Sequence, residues 1–181
     1  PAPGTATVDD VVVLHDRENR LAELVDGVLV EKAMGFYEST LACVLIQLLR
    51  NYLDQNPLGI VGGEGGMMRL APKLVRIPDV SFISWDQFPG RQVTREPVPA
   101  IAPELAVEIL SESNTRAEME RKLREYFAAG ARLVNRHPDH RRRFARVHLI
   151  PPGDCALVKR AQCAAEALCI VDRRIGLAGM G

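Results

Sequence analysis

Two carboxylates stand in stretches that otherwise read as buried β-strands. Asp79 lies in Val75-Arg-Ile-Pro-Asp-Val-Ser-Phe82, and Glu108 lies in Leu105-Ala-Val-Glu-Ile-Leu110. A carboxylate inside an apolar strand is costly unless it is paired or holds a metal. Two of them on neighbouring strands make a hard-oxygen site of the kind that takes Mg²⁺, or Mn²⁺ in its place. A cation held there polarises a phosphate and lowers the pKa of a bound water. Each acid also has a plainer reading. Pro78 interrupts ladder pairing, so Asp79 at the end of an edge strand would simply face solvent. Glu108 would pair with an arginine.

Other residues join these two as candidates. Lys122 sits at the border of an apolar helical stripe of Met119, Leu123, Tyr126 and Phe127. From there its stem covers a sheet while its ammonium reaches the strand ends. In that place it stabilises phosphate charge or orients an attacking water; otherwise it is an ordinary snorkelling lysine. Glu38 falls in line with Leu41, Leu45 and Leu48 on the apolar face of a helix, where a first-turn acid also complements the helix dipole. Glu64, flanked by glycines, is a turn acid or a further metal ligand. Arg121 and Arg124 point away from the stripe and suit phosphate contacts or plain solvation. Ser111, Ser113 and His137 form no nucleophile motif, and G-x-S-x-G is absent. Gly62-Gly-Glu-Gly-Gly66 matches neither phosphate-cradling glycine pattern. His137 and His140 with Cys155 fall short of a zinc pattern.

The elements that must position these residues follow from local pattern. Asp26-Gly27 between Arg20-Leu-Ala-Glu-Leu-Val25 and Val28-Leu-Val-Glu-Lys32 predicts a β-hairpin. Leu41, Val44, Leu45, Leu48, Leu49 and Tyr52 predict an amphipathic helix over 37–53, ended by Asn56-Pro57. Strands are predicted over 67–70 and 74–84, a long proline-rich loop over 85–103, and a buried strand over 104–110. Thr115-Arg-Ala-Glu118 is a capping box that opens a helix running to Ala129, with Gly130 as its stop. Leu133-Val134 and 145–150 suggest further strands. Residues 1–19 read as a loose leader, and 20–181 as one domain whose part after about 135 has an irregular pattern. The order of elements implies an α/β domain with a mixed sheet.

Composition narrows the class. At 181 residues, 47% apolar and 25% charged, the chain is long enough for one ordinary core and is not a disordered, collagen-like or disulfide-framework protein. No apolar run approaches the ~18 residues of a membrane span, so no membrane partner is expected. Pro1–Asp10 lacks the basic and apolar regions of a signal peptide. Cys43 lies in the most apolar stretch, as a small hydrophobe would, and Cys155, Cys163 and Cys169 lack zinc spacing. A reducing, cytoplasmic setting is expected. Net charge is zero but unevenly spread: residues 1–120 carry 10 Lys and Arg against 18 Asp and Glu, and residues 121–181 carry 13 against 5. Arg132–Arg146 holds six arginines, among them Arg141, Arg142 and Arg143. Such a segment contacts phosphates or pairs with the acidic half.

Pro78-Asp79-Val80, Glu108 in Ala-Val-Glu-Ile-Leu-Ser, Asn114-Thr115, and Lys122-x-x-x-Tyr126-x-x-x-Gly130 together resemble the Uma-type putative restriction endonuclease family. The Glu-Leu-Val-Asp-Gly hairpin and the helix after it fit as well, so the resemblance spans about residues 20–134. It implies a restriction-endonuclease-like fold of the PD-(D/E)-x-K type, a mixed central sheet flanked by helices with an N-terminal hairpin. It further implies Asp79 and Glu108 as metal-binding acids, with Lys122 standing for the family lysine on the helix after the strand. Leu110 replaces the lysine of the usual Glu-x-Lys. Glu38 falls where relatives often carry a polar residue, and Leu133-Val-Asn-Arg-His-Pro138 departs from the family's usual strand.

The leading expectation is a Mg²⁺-dependent endonuclease with DNA as its partner, its basic stretch and Arg121 holding the backbone, and a homodimer suiting the two cuts of a duplex. The alternatives are a catalytically inactive nuclease-fold module that binds nucleic acid or a protein, and a hydrolase using Asp79 and Glu108 as an acid–base pair on another substrate.

Overall fold

The structure is a computed structural model and describes residues 1–33, 35–111, 114–137 and 146–149. Asp26 and Gly27 take φ values of 51° and 76°, as a two-residue turn between twisted strands requires. They close the predicted hairpin of β1 (Ala22–Val25) and β2 (Val28–Glu31). With β4 (Met68–Ala71) and β5 (Leu74–Arg76), this hairpin forms a four-stranded antiparallel sheet in the order β2-β1-β5-β4.

The expected loose leader is corrected here. Residues Val8–Glu18 form a helix, α1, that packs on this sheet. The Asp10 carboxylate accepts bonds from the backbone N–H and hydroxyl of Thr7 (2.8 and 2.9 Å), which ties down the first turn. Val11 is wholly buried with Leu24, Val75 and Ile77. Its short apolar side had no visible partner in the sequence, because the surface that covers it is a sheet assembled from Leu24 on β1 and from Val75 and Ile77, which lie far along the chain.

The apolar run 74–84 is two strands, not one. Proline cannot donate to a ladder, and the chain leaves the first sheet around Pro78. It then enters a second sheet as β6 (Val80–Ser84). That sheet has the order β3-β6-β7-β8-β9, with β3 at Gly59–Gly62, β7 at Leu105–Ile109, β8 at Leu133–His137 and β9 at Arg146–Leu149. Strands β7 and β8 are parallel and joined through helix α3 (Arg116–Ala129); the other pairs are antiparallel. The expected mixed sheet is therefore present.

Helix α2 (Phe36–Gln55) covers one face of this sheet, setting Leu41, Leu45 and Leu49 against Val80, Phe82, Leu105 and Val107. Helix α3 covers the other, setting Leu123 and Tyr126 against Ala106 and Val134. Alternation along β7 thus sends positions 105, 107 and 109 towards α2, and positions 106 and 108 towards α3. Cys43 is exposed, contrary to expectation. It sits about 200° around the helix from Leu41, at 100° per residue, so it faces away from the buried stripe.

Candidate active site

The ladder places the two carboxylates side by side. Val80 pairs with Val107, Ser81 with Ala106 and Phe82 with Leu105, so one further step sets Asp79 opposite Glu108. The Asp79 N–H donates to the Val107 carbonyl (3.0 Å), and the Ile109 N–H donates to Asp79 Oδ2 (2.5 Å). Both side chains are buried. Asp79 is therefore not an edge residue facing solvent, since β6 lies inside the sheet between β3 and β7. Two like charges opposite each other destabilise a sheet unless cations lie between them.

Two lysines provide those cations. Lys122 reaches Glu108 Oε2 at 3.0 Å, as its border position on α3 predicts. It is more deeply buried than a snorkelling lysine, with Glu23 Oε1 on its other side at 3.3 Å. One turn later on the same helix face, the Tyr126 hydroxyl donates to Glu108 Oε1 (2.8 Å). Lys32 comes from the other direction. Its N–H donates to the Leu21 carbonyl (2.9 Å), which extends the hairpin ladder by one pair. Its ammonium lies 2.6 Å from Asp79 Oδ1, 2.5 Å from the Ile77 carbonyl oxygen and 3.8 Å from Glu108 Oε2.

A third buried carboxylate, Glu23 on β1, completes the network. It accepts bonds from Arg76 Nη1 (2.5 Å) and the Ile77 N–H (3.1 Å). Arg76 also binds Glu125, which Arg121 grips from outside while holding Asp26. Burial pushes Glu108 towards the neutral acid, with Glu23 and Asp79 adding to the effect, and the two lysines only partly offset it. Burial acts the same way on Glu23, but Lys122, Arg76, Lys32 and the Ile77 N–H outweigh it and hold its pKa below the usual range. Burial also opposes charge on Lys122, yet Glu108 and Glu23 prevail and raise its pKa. Burial and the Glu108 charge push the Tyr126 hydroxyl well up, so it remains a proton donor.

These groups line an open cleft of about 520 Å³. Gly35 and Glu38 at the start of α2 border it, as do Asn114 and Glu118 at the start of α3. The positive ends of two helix dipoles therefore face the cleft. Six carboxylates and two ammonium groups line it. Glu38 is half-buried on the rim, its carboxylate folded back against Gly35. Glu64 is exposed beyond β3 and borders a neighbouring cleft of about 380 Å³, which shares Lys32 and Gly35 with the first. Asp79, Glu108, Lys122 and Glu38 thus come together, while Glu64 stands apart. Among the described residues, no three His, Cys, Asp or Glu side chains are grouped to hold a metal. Arg121 is engaged by two acids of its own chain. Arg141, Arg142, Arg143, His140, Cys155, Cys163 and Cys169 lie outside the described residues.

Two members escaped the sequence reading. Glu23 carried the same signal as Glu108, an acid within the apolar strand Ala22–Val25. Lys32 carried none, because it follows an exposed edge strand and meets its partners only through tertiary packing.

The sequence profile of the Uma2 family, described as "Putative restriction endonuclease", matches residues 8–149. The chain belongs to the Uma2 family. The match begins with α1, ahead of the span over which the motifs resemble the family. The Uma2 chain also superposes on a crystal structure of "a putative nuclease belonging to DUF820" from Anabaena variabilis ATCC 29413. The TM-score is 0.67 at 15% identity over 81% of each chain, and this establishes the restriction-endonuclease-like fold. No curated protein matches the Uma2 chain significantly. Among the described residues, no helix is long and apolar enough to cross a membrane.

Proposed function

We propose that this Uma2 protein is a divalent-metal-dependent endonuclease that hydrolyses phosphodiester bonds of DNA. The observation that carries the proposal is the convergence of Asp79, Glu108 and the Ile77 carbonyl on one half-buried cation, the Lys32 ammonium. That ammonium is a stand-in ion, and its oxygen surroundings have the hard-donor chemistry of a Mg²⁺ or Mn²⁺ site. The cleft's excess of carboxylates supports the same reading, since a phosphate anion approaches such a surface only when further cations are present.

Asp79 and Glu108 would hold the metal, which supplies Lewis-acid charge and acidifies its bound water. The Ile109 N–H fixes the Asp79 carboxylate. Lys122 and Tyr126 fix Glu108, and Lys122 favours its ionised form although burial opposes it. Lys122 is in this sense a positioning residue, itself oriented by Glu23. The helix ends at Gly35 and Asn114 favour an anionic substrate over the cleft. The basic segment after Arg132 would bind the DNA backbone without reading sequence, and a homodimer would allow two cuts in a duplex.

Cleavage of supercoiled and linear DNA with Mg²⁺, Mn²⁺ or EDTA tests the proposal. The expected result is metal-dependent nicking by the wild type and a loss of at least about 100-fold in Asp79→Ala and Glu108→Ala. Unchanged nicking by folded Asp79→Ala protein would sink it. A folded wild type that binds DNA and never cuts it would instead identify an inactive nuclease-fold module.

A further inference from the structure

Lys32 is the least anchored charge in the buried network, and it holds the position that matters most. Lys122 is built into α3 and lies between two carboxylates at 3.0 and 3.3 Å. Lys32 follows an edge strand, lies within bonding distance of one carboxylate and one carbonyl, and borders both clefts. Its side chain keeps 10% of its surface exposed. A divalent ion shared by Asp79 and Glu108 needs the volume this ammonium occupies. The two cations repel strongly at such separation in a poorly solvated site.

Resting on the nuclease reading for its metal, we infer that Lys32 is an internal cation that closes the acid pair in the metal-free protein. A divalent ion then exchanges with it, releasing the ammonium into the cleft. The exchange is an ion-pair substitution, with no bond or electron transferred. Lys32 keeps Asp79 and Glu108 from repelling each other before loading, and it weakens metal binding by the work of displacing it. Once released, it is a lysine free to meet an anionic substrate, while Lys122 stays paired between Glu108 and Glu23.

Mn²⁺ titration of the full chain by electron paramagnetic resonance, without DNA, tests this. Lys32→Met should bind Mn²⁺ about tenfold or more tightly than the wild type, because the competing state is removed. Without metal it should melt at a lower temperature than the wild type, and added Mn²⁺ should abolish that difference. A second measurement needs no variant: reductive methylation of the wild type, read by peptide mass, should increase at Lys32 when Mg²⁺ is added and stay constant at Lys122. Equal or weaker Mn²⁺ binding by Lys32→Met would overturn the inference. So would unchanged Lys32 methylation, or no Mn²⁺ binding by either protein. Neither readout involves cleavage, so the expected Mn²⁺ binding and methylation together with a folded wild type that never cuts DNA would refute the nuclease reading alone.

Discussion

Glu108 and Glu23 are both buried and lie on opposite sides of Lys122, yet the protein treats their charges differently. Glu108 is held above its ordinary pKa of 4.5 and Glu23 below it. A raised folded value means that Glu108 contributes stability below its ordinary pKa and loses it as pH climbs through the folded value. A lowered one means that Glu23 contributes stability above its ordinary pKa and loses it as pH falls through the folded value. In EDTA, the melting temperature should therefore rise as pH falls from neutrality towards 4.5 and drop below that range. Glu108→Gln should remove the rise and melt at or above the wild-type temperature at pH 7, while abolishing cleavage. Glu23→Gln should cost about 3–5 kcal/mol at pH 7, because Arg76 and Lys122 lose a buried partner. Calorimetry across pH distinguishes these outcomes. A strongly destabilised Glu108→Gln protein would contradict the assignment of charges.

At the scale of elements, the site depends on where secondary structures end. The hairpin ladder continues one pair past β2 and delivers Lys32. Pro78 releases the chain from one sheet so that Asp79 enters the next beside Glu108. The crossover helix α3 begins at Thr115, whose hydroxyl accepts the Glu118 N–H (3.2 Å), and ends at Gly130 with φ of 108°. Gly130→Ala should destabilise the protein by about 1–2 kcal/mol, since a Cβ disfavours that backbone. Val11→Ala should cost about 2 kcal/mol by leaving a void between α1 and the four-stranded sheet. Urea denaturation measures both. If Val11→Ala were neutral, α1 would not be integral to the fold.

At the scale of the whole molecule, the two parts of the chain carry opposite charge. The described cleft is rich in carboxylates, and the sequence from residue 121 onward carries the excess of arginine and lysine. DNA affinity should then fall steeply with salt, by roughly 0.9 logarithmic units per tenfold increase in salt for each phosphate contacted. Replacing Arg141, Arg142 and Arg143 by Ala should reduce that slope by up to about 3 and weaken all DNA sequences alike. Fluorescence anisotropy at several salt concentrations reads both effects. A salt slope unaffected by the triple substitution would assign the backbone contacts to other residues.

The sequence alone determined the hairpin, helices α2 and α3 and the buried strand β7, because each is set by contacts a few residues apart: Asp26-Gly27, the apolar stripes, and the stops at Asn56-Pro57 and Gly130. It also marked Asp79 and Glu108, since a lone acid in an apolar strand shows its cost in the local pattern. Only the tertiary structure decided that α1 is folded, that residues 74–84 divide between two sheets, and that Lys32 and Glu23 belong to the site. The physical reason is range. Lys32 finds the Ile77 carbonyl 45 positions away, and Glu23 finds Arg76 53 positions away. Lys32 leaves no trace in its own neighbourhood, and Glu23 shows its cost in its apolar strand but not its partners, which become visible only once two sheets bring their ends together.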